Sequence, residues 1–171
     1  MNTSAIRYPI ELDAAAVQRV LPHRGDILFV QQVSVHAHDR YQGVACWSPD
    51  LSLLQGHFPG MPVVPGVLLV EAVAQVAGAG MLTGDATARR MGEDYVGLLA
   101  GIRKCSFKRP VLPGDRIDIA VEMRQMSEVA ALATGMLHHE GEEVGSVEIL
   151  VVNTPREAML QQLARARETA R

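Results

Sequence analysis

Hydrophobic and polar residues alternate most clearly over Arg116–Met126. Ile117, Ile119, Val121 and Met123 share one side there, with Asp118, Ala120, Glu122 and Arg124 on the other. That period of two predicts a strand with one buried face. Strand-like runs also cover Val96–Ser106, Val129–His138 and Glu143–Val152, with turns at Pro113-Gly114-Asp115 and Glu140-Gly141-Glu142. Asp26–Val35 and Tyr41–Trp47 add two more strands, joined near His38-Asp39. The period changes between about Gly66 and Leu82, where VLLVEAVAQVAGAGML is apolar at nearly every position. Such a helix has to be covered on all sides.

Shorter signals fill in the rest. Asp13 reads as the N-cap of a helix AAAVQRVL that ends at Leu21-Pro22, and Ser48–Gly66, rich in proline and glycine, reads as an irregular loop. Ala86–Asp94 is a polar surface stretch. Thr154-Pro155-Arg156-Glu157 has the form of a capping box with proline at the first helical position, opening a charged surface helix. The sum is an α+β chain, about six antiparallel strands curved around one central helix. The expected organisation is a single domain with its core over about 20–152 and a helical extension over 154–171.

Composition narrows the function classes. Of 171 residues, 48% are apolar and 20% charged, with a net charge of −3, which gives a sizeable core and no general footprint for nucleic acid. Two cysteines, Cys46 and Cys105, are too few for a disulfide scaffold or a four-cysteine zinc site, and their apolar settings predict packing. A reduced, cytoplasmic setting is expected. The N-terminal stretch carries Glu11 and Asp13 and is no secretory signal. The apolar stretch Met61–Leu82 holds two prolines, Glu71 and Gln75, so a buried helix is expected there and not a membrane span.

Only Glu71 and Gln75 are polar within the long helix, four residues apart and so on one face. A carboxylate there is either a hydrogen-bonded structural group or a functional one. His57 lies in GHFPG, a loop that leads directly into this helix. Gly66 falls at the helix start, where free N–H groups and the helix dipole favour developing negative charge. A base, an acid and an oxyanion site are therefore available from one short segment. His36 with His38 has no acidic or cysteine partner at metal-ligand spacing, and His138-His139 points to opposite faces of a strand, so no metal site is expected.

The segments LPHRGDILFV, QGHFPGMPVVPGVLLVEAVAQVAG and LAGIRKCSFKRPVLPGD resemble the 3-hydroxyacyl-[acyl-carrier-protein] dehydratases of the FabZ type. The most specific piece is GHFPGxPxxPGxxxxEAxAQ, Gly56 to Gln75, with its fourteen-residue step from His57 to Glu71. The resemblance covers about Val20 to Val152 and implies a hotdog fold. It implies dehydration of (3R)-3-hydroxyacyl chains on acyl carrier protein to trans-2-enoyl thioesters, with no metal or organic cofactor beyond the carrier's phosphopantetheine. It also implies a homodimer in which His57 of one subunit works with Glu71 of the other, and a trimer of dimers as a further assembly.

In that scheme His57 takes the C2 proton, and Gly66 and Phe58 bind the substrate, the Gly66 N–H holding the thioester oxygen. Glu71, kept protonated by its apolar helix, donates to the departing hydroxyl. Gln75 and His23 are expected to support the site. The basic cluster Arg103, Lys104, Lys108 and Arg109 is either a solvated strand edge or a dock for an acidic carrier protein. The chain departs from the family pattern at Gly25, Asp26 and Ile27, at Gln31-Gln32, at Asp50, Leu53 and Leu54, and at Leu98. These changes bear on the acyl tunnel and its chain-length preference. The competing readings are a hotdog thioesterase and a non-catalytic acyl-carrier binding module; enoyl isomerisation is a side activity against which Glu71, in place of Asp, weighs.

Overall fold

A computed structural model describes residues 6–169. Its strands are β1 (Ile10–Leu12), β2 (Val30–Ala37), β3 (Arg40–Ala45), β4 (Tyr95–Phe107), β5 (Ile117–Gln125), β6 (Ala130–His139) and β7 (Glu142–Pro155). Its helices are α1 (Ala14–Val20), α2 (Ser52–His57), α3 (Gly66–Gly84), α4 (Ala86–Met91) and α5 (Arg156–Thr169). The seven strands form one antiparallel sheet in the order β1-β2-β3-β5-β6-β7-β4. The expected alternation in β5 holds: Ile117, Ile119 and Val121 are buried, with Asp118, Ala120 and Glu122 exposed.

The sheet wraps α3, which touches β2 through β7. Contact is close because glycines face branched or aromatic side chains. A Cβ at Gly43 would lie 2.4 Å from Val76, one at Gly135 2.6 Å from Val73, and one at Gly80 2.3 Å from the Tyr41 ring. Val73 and Val76 are fully buried, each worth about 1.5–3 kcal/mol by removal from water. Although α3 is long and apolar enough to cross a membrane, most of it is buried beneath the sheet.

The cover of α3 is incomplete, contrary to the expectation from its composition. Val67 is 67% exposed, and Glu71, Ala74, Gly78 and Met81 are only partly buried. These positions recur every three to four residues and form one stripe. The sheet supplies no strand there; the chain after α1 lies along it, with Leu21 against Gly78.

Several boundaries differ from the sequence reading. β2 starts at Val30, not Asp26, because Gly25–Ile27 forms a 3-10 turn and the Phe29 and Val30 N–H groups donate to the Gln75 side chain. β7 runs through Thr154-Pro155, paired with Val96 and Tyr95, so the expected capping box is strand and α5 begins at Arg156. The three-residue β1, paired with β2, was not expected. α2 occupies part of the expected loop, and α4 part of the expected polar stretch. Asp13 does cap α1, its side chain accepting from the Ala16 N–H.

Candidate active site

His57 is the last residue of α2, and Phe58 caps that helix with its ring centroid 4.2 Å from the imidazole. His57 Nδ1 lies 3.0 Å from the Val63 carbonyl oxygen. A carbonyl only accepts, so Nδ1 carries the hydrogen and Nε2 keeps its lone pair. The ring is thereby held in the tautomer a general base requires, and it is solvent-accessible. His57 shares a cavity of about 360 Å³ with Val63, Gly66, Leu69, Phe107 and Lys108.

Gly66 opens α3 without a side-chain cap. The Leu68 N–H donates to the Pro65 carbonyl at 2.9 Å, while the Gly66 N–H, at the very start of the helix beside His57, has no intrahelical partner. The Phe107 ring lies over this glycine, where a Cβ would come within 2.5 Å of it. That close approach is a physical reason for glycine at this position.

Glu71 is fixed by a different set of groups. His23 Nε2 lies 3.2 Å from Glu71 Oε1, and Gln75 Nε2 donates to the same oxygen at 2.9 Å. Gln75 is itself fully buried and pinned: its Oε1 accepts from the Phe29 and Val30 N–H groups, and its Nε2 also donates to the Ile27 carbonyl. Both donors to Glu71 land on Oε1, and Oε2 has no hydrogen-bond partner among the described residues. His23 Nδ1 is buried and has no hydrogen-bond partner among the described residues.

The expectation that the apolar helix keeps Glu71 protonated is corrected here. Burial pushes its carboxyl up, but the hydrogen bonds from His23 and Gln75, with the His23 charge, outweigh it and bring the pKa below the ordinary value of 4.5. The free chain therefore holds Glu71 ionised at neutral pH.

Within one chain Glu71 does not line the cavity that holds His57. Glu71 is five residues beyond Gly66, which on an α-helix turns it about 140° and carries it about 7.5 Å along the axis. It points from the open stripe of α3, while His57 and Gly66 face Phe107.

The remaining candidates fall in several places. Arg103 and Lys104 are exposed on β4; Lys108 pairs with Glu143 at 2.6 Å and Arg109 with Glu142 at 2.7 Å. Of the positions that depart from the family pattern, Gly25 and Asp26 lie in the 3-10 turn, Leu53 is exposed, Leu54 is fully buried and Leu98 is half-buried on β4. Cys105 is exposed on β4 and not packed as expected. β4 forms one edge of the sheet, so its outer side has no strand neighbour among the described residues.

Comparison with known proteins bears on this arrangement. The family model for the FabA-like domain matches residues 21–148. The FabZ dehydratase of Anaeromyxobacter dehalogenans (strain 2CP-1 / ATCC BAA-258) is 35% identical over 158 residues, 92% of this chain and 99% of that protein. The FabZ dehydratase of Bacillus pumilus (strain SAFR-032) is 37% identical over 139 residues, 81% and 93% of the two chains. The chain belongs to the FabZ-type 3-hydroxyacyl-[acyl-carrier-protein] dehydratase family. Among solved structures, the dehydratase heterocomplex ApeI:P from Xenorhabdus doucetiae is similar with a TM-score of 0.69 at 19% identity, covering 92% of this chain and 99% of that one. The fluoroacetyl-CoA thioesterase FlK gives 0.61 at 14% identity, over 76% and 96%. These two likenesses show the shared hotdog fold.

The sequence reading missed the direct contact of His23 with Glu71. The Pro22-His23-Arg24 motif marked His23 as a support, but no local spacing shows that residues 48 apart meet.

Proposed function

We propose that this protein dehydrates (3R)-3-hydroxyacyl thioesters on acyl carrier protein to trans-2-enoyl thioesters, using His57 of one subunit and Glu71 of a second. The observation that carries the two-subunit reading is that each half of the site is complete in itself while the two face different sides of α3. The open stripe of α3 and the unpaired β4 edge, with Leu99, Ile102 and Phe107 exposed, are the surfaces a second copy would cover. A trimer of such dimers and a cytoplasmic setting extend the same reading. It calls for no resident metal or organic cofactor; the phosphopantetheine arm arrives with the carrier.

In the reaction, His57 Nε2 takes a proton from C2, and the Gly66 N–H, with Phe58 bounding the substrate, receives the thioester oxygen as negative charge moves onto it. The C3–O bond then breaks, the electron pair left at C2 forms the C2–C3 double bond, and the departing hydroxyl takes a proton to leave as water. Glu71 Oε2 is the atom free to supply that proton, since Oε1 is committed to His23 and Gln75. An acyl chain closing over the carboxyl adds desolvation, which drives it back toward the protonated form.

The test is turnover of (3R)-3-hydroxyacyl chains of several lengths on carrier protein, with mass detection of the bound acyl group. Loss of one water, abolished by His57→Ala, is expected. Release of free thiol without an enoyl product would make the protein a thioesterase. Carrier binding without turnover at any length would make it a binding module.

A further inference from the structure

Two basic clusters lie on the surface, and their electrostatics differ. In the strand cluster, Lys108 and Arg109 are each neutralised by a glutamate on β7. The second cluster lines a groove of about 500 Å³ and comes from four separate parts of the chain. Arg19 stands on α1, Arg24 follows His23, Arg89 stands on α4 and Arg156 opens α5. None of these four makes an ion pair with a carboxylate among the described residues; Arg24 donates to the Leu21 and His23 carbonyls. Glu93 is the one acidic residue lining the groove. A chain of net charge −3 thus keeps a groove whose lining is net positive, four arginines against one glutamate, the arrangement that attracts and orients an anionic partner.

The groove borders the segment that reaches the Glu71 half of the proposed site. Leu21, Pro22 and Arg24 form part of its wall, and His23 between them reaches Glu71. A partner seated there delivers its cargo next to the carboxylate. The groove is far larger than one phosphate group, and its guanidiniums come from four elements, which fits a protein face bearing several carboxylates.

We propose that the groove formed by Arg19, Arg24, Arg89 and Arg156, and not the β4 cluster, is the surface on which the acidic face of the carrier protein docks. This rests on the dehydratase reading and names its docking partner. Arg24 also braces the His23 loop, so the test leaves it intact.

Binding of fluorescently labelled acyl carrier protein to the full chain is measured by anisotropy at low and at moderate salt. The double variant Arg19→Glu/Arg89→Glu is expected to raise Kd about tenfold or more and to flatten its salt dependence. Arg19→Gln/Arg89→Gln serves as the milder pair and is expected to weaken binding in the same direction. Arg103→Gln/Lys104→Gln, confirmed by size-exclusion chromatography to keep the parent's oligomeric state because β4 lies on the proposed subunit interface, is expected to change Kd less than about twofold. A larger effect from the β4 pair, or none from either groove pair, overturns the proposal. So does an equal loss of affinity for 3-hydroxyacyl-phosphopantetheine without the carrier, which would make the groove a phosphate site. Turnover of 3-hydroxybutyryl-N-acetylcysteamine, which carries neither phosphate nor protein, tests the dehydratase reading separately. It is expected to be unchanged in the groove variants.

Discussion

The two halves of the site are built on opposite principles. His57 stands at the end of a six-residue helix, in the open, fixed by one hydrogen bond to the Val63 carbonyl. Glu71 stands on the central helix, half-buried, and is held by His23 and by a glutamine that is itself tied to three backbone groups. The first half is cheap to disturb structurally because little rests on it. The second is part of the framework that joins α3 to the start of β2. The proposed site therefore combines a base on which little of the fold rests with an acid whose supports also carry stability.

The largest expected effect is catalytic. Glu71→Gln should lower kcat by about 10²–10⁴-fold, the usual worth of a general acid, with dimer formation unchanged. Steady-state turnover of a carrier-bound 3-hydroxyacyl substrate checks it, alongside size-exclusion chromatography. His57→Ala should give a loss of similar size. Near-wild-type turnover by Glu71→Gln would remove the acid from the scheme.

The next effect separates the halves by stability. Gln75→Leu strands the Phe29 and Val30 N–H groups in a buried place and should cost about 1–3 kcal/mol. His57→Ala should leave stability within about 0.5 kcal/mol of the parent, as for other surface changes. Urea denaturation of both variants measures the contrast. Equal midpoints would mean that Gln75 is not the brace its hydrogen bonds indicate.

The smallest expected effect is a shift in a pH profile. His23→Phe removes a hydrogen bond and a charge that lower the Glu71 pKa, so the Glu71 limb of the kcat/KM profile should move to higher pH. The stability sign follows from the same shift. A depressed carboxyl pKa stabilises the fold fully above the ordinary value of 4.5, and that contribution is lost as pH falls through the lowered value. His23→Phe should therefore flatten the acid side of the stability curve. An unmoved activity limb would separate His23 from the ionisation of Glu71.

What could be read from the sequence was whatever a single element encodes in its own period. The unbroken apolar run of α3, the alternation of β5 and the Asp13 cap were legible for that reason. The closeness of His57, Gly66 and Glu71 to the helix start was legible too, because one continuous segment of fifteen residues holds all three. The start of β2 was not, because Gln75 draws the Phe29 and Val30 donors away from the ladder. α2 was too short to show a period, with Leu54 its one buried residue. The open stripe on α3 was hidden because Val67, Ala74, Gly78 and Met81 read as apolar wherever they point. The arginine groove gathers positions 19, 24, 89 and 156, and only the fold brings these together.

The claim that the site spans two subunits is tested most directly by mixing two inactive proteins. His57→Ala and Glu71→Gln chains, co-refolded or co-expressed and then purified, form mixed dimers in which one of the two sites regains both native residues. Random pairing predicts recovery of about a quarter of wild-type activity, while each variant alone stays near background. If the mixture remains as inactive as its components although mixed dimers are demonstrated, His57 and Glu71 do not act across the interface and the account is wrong.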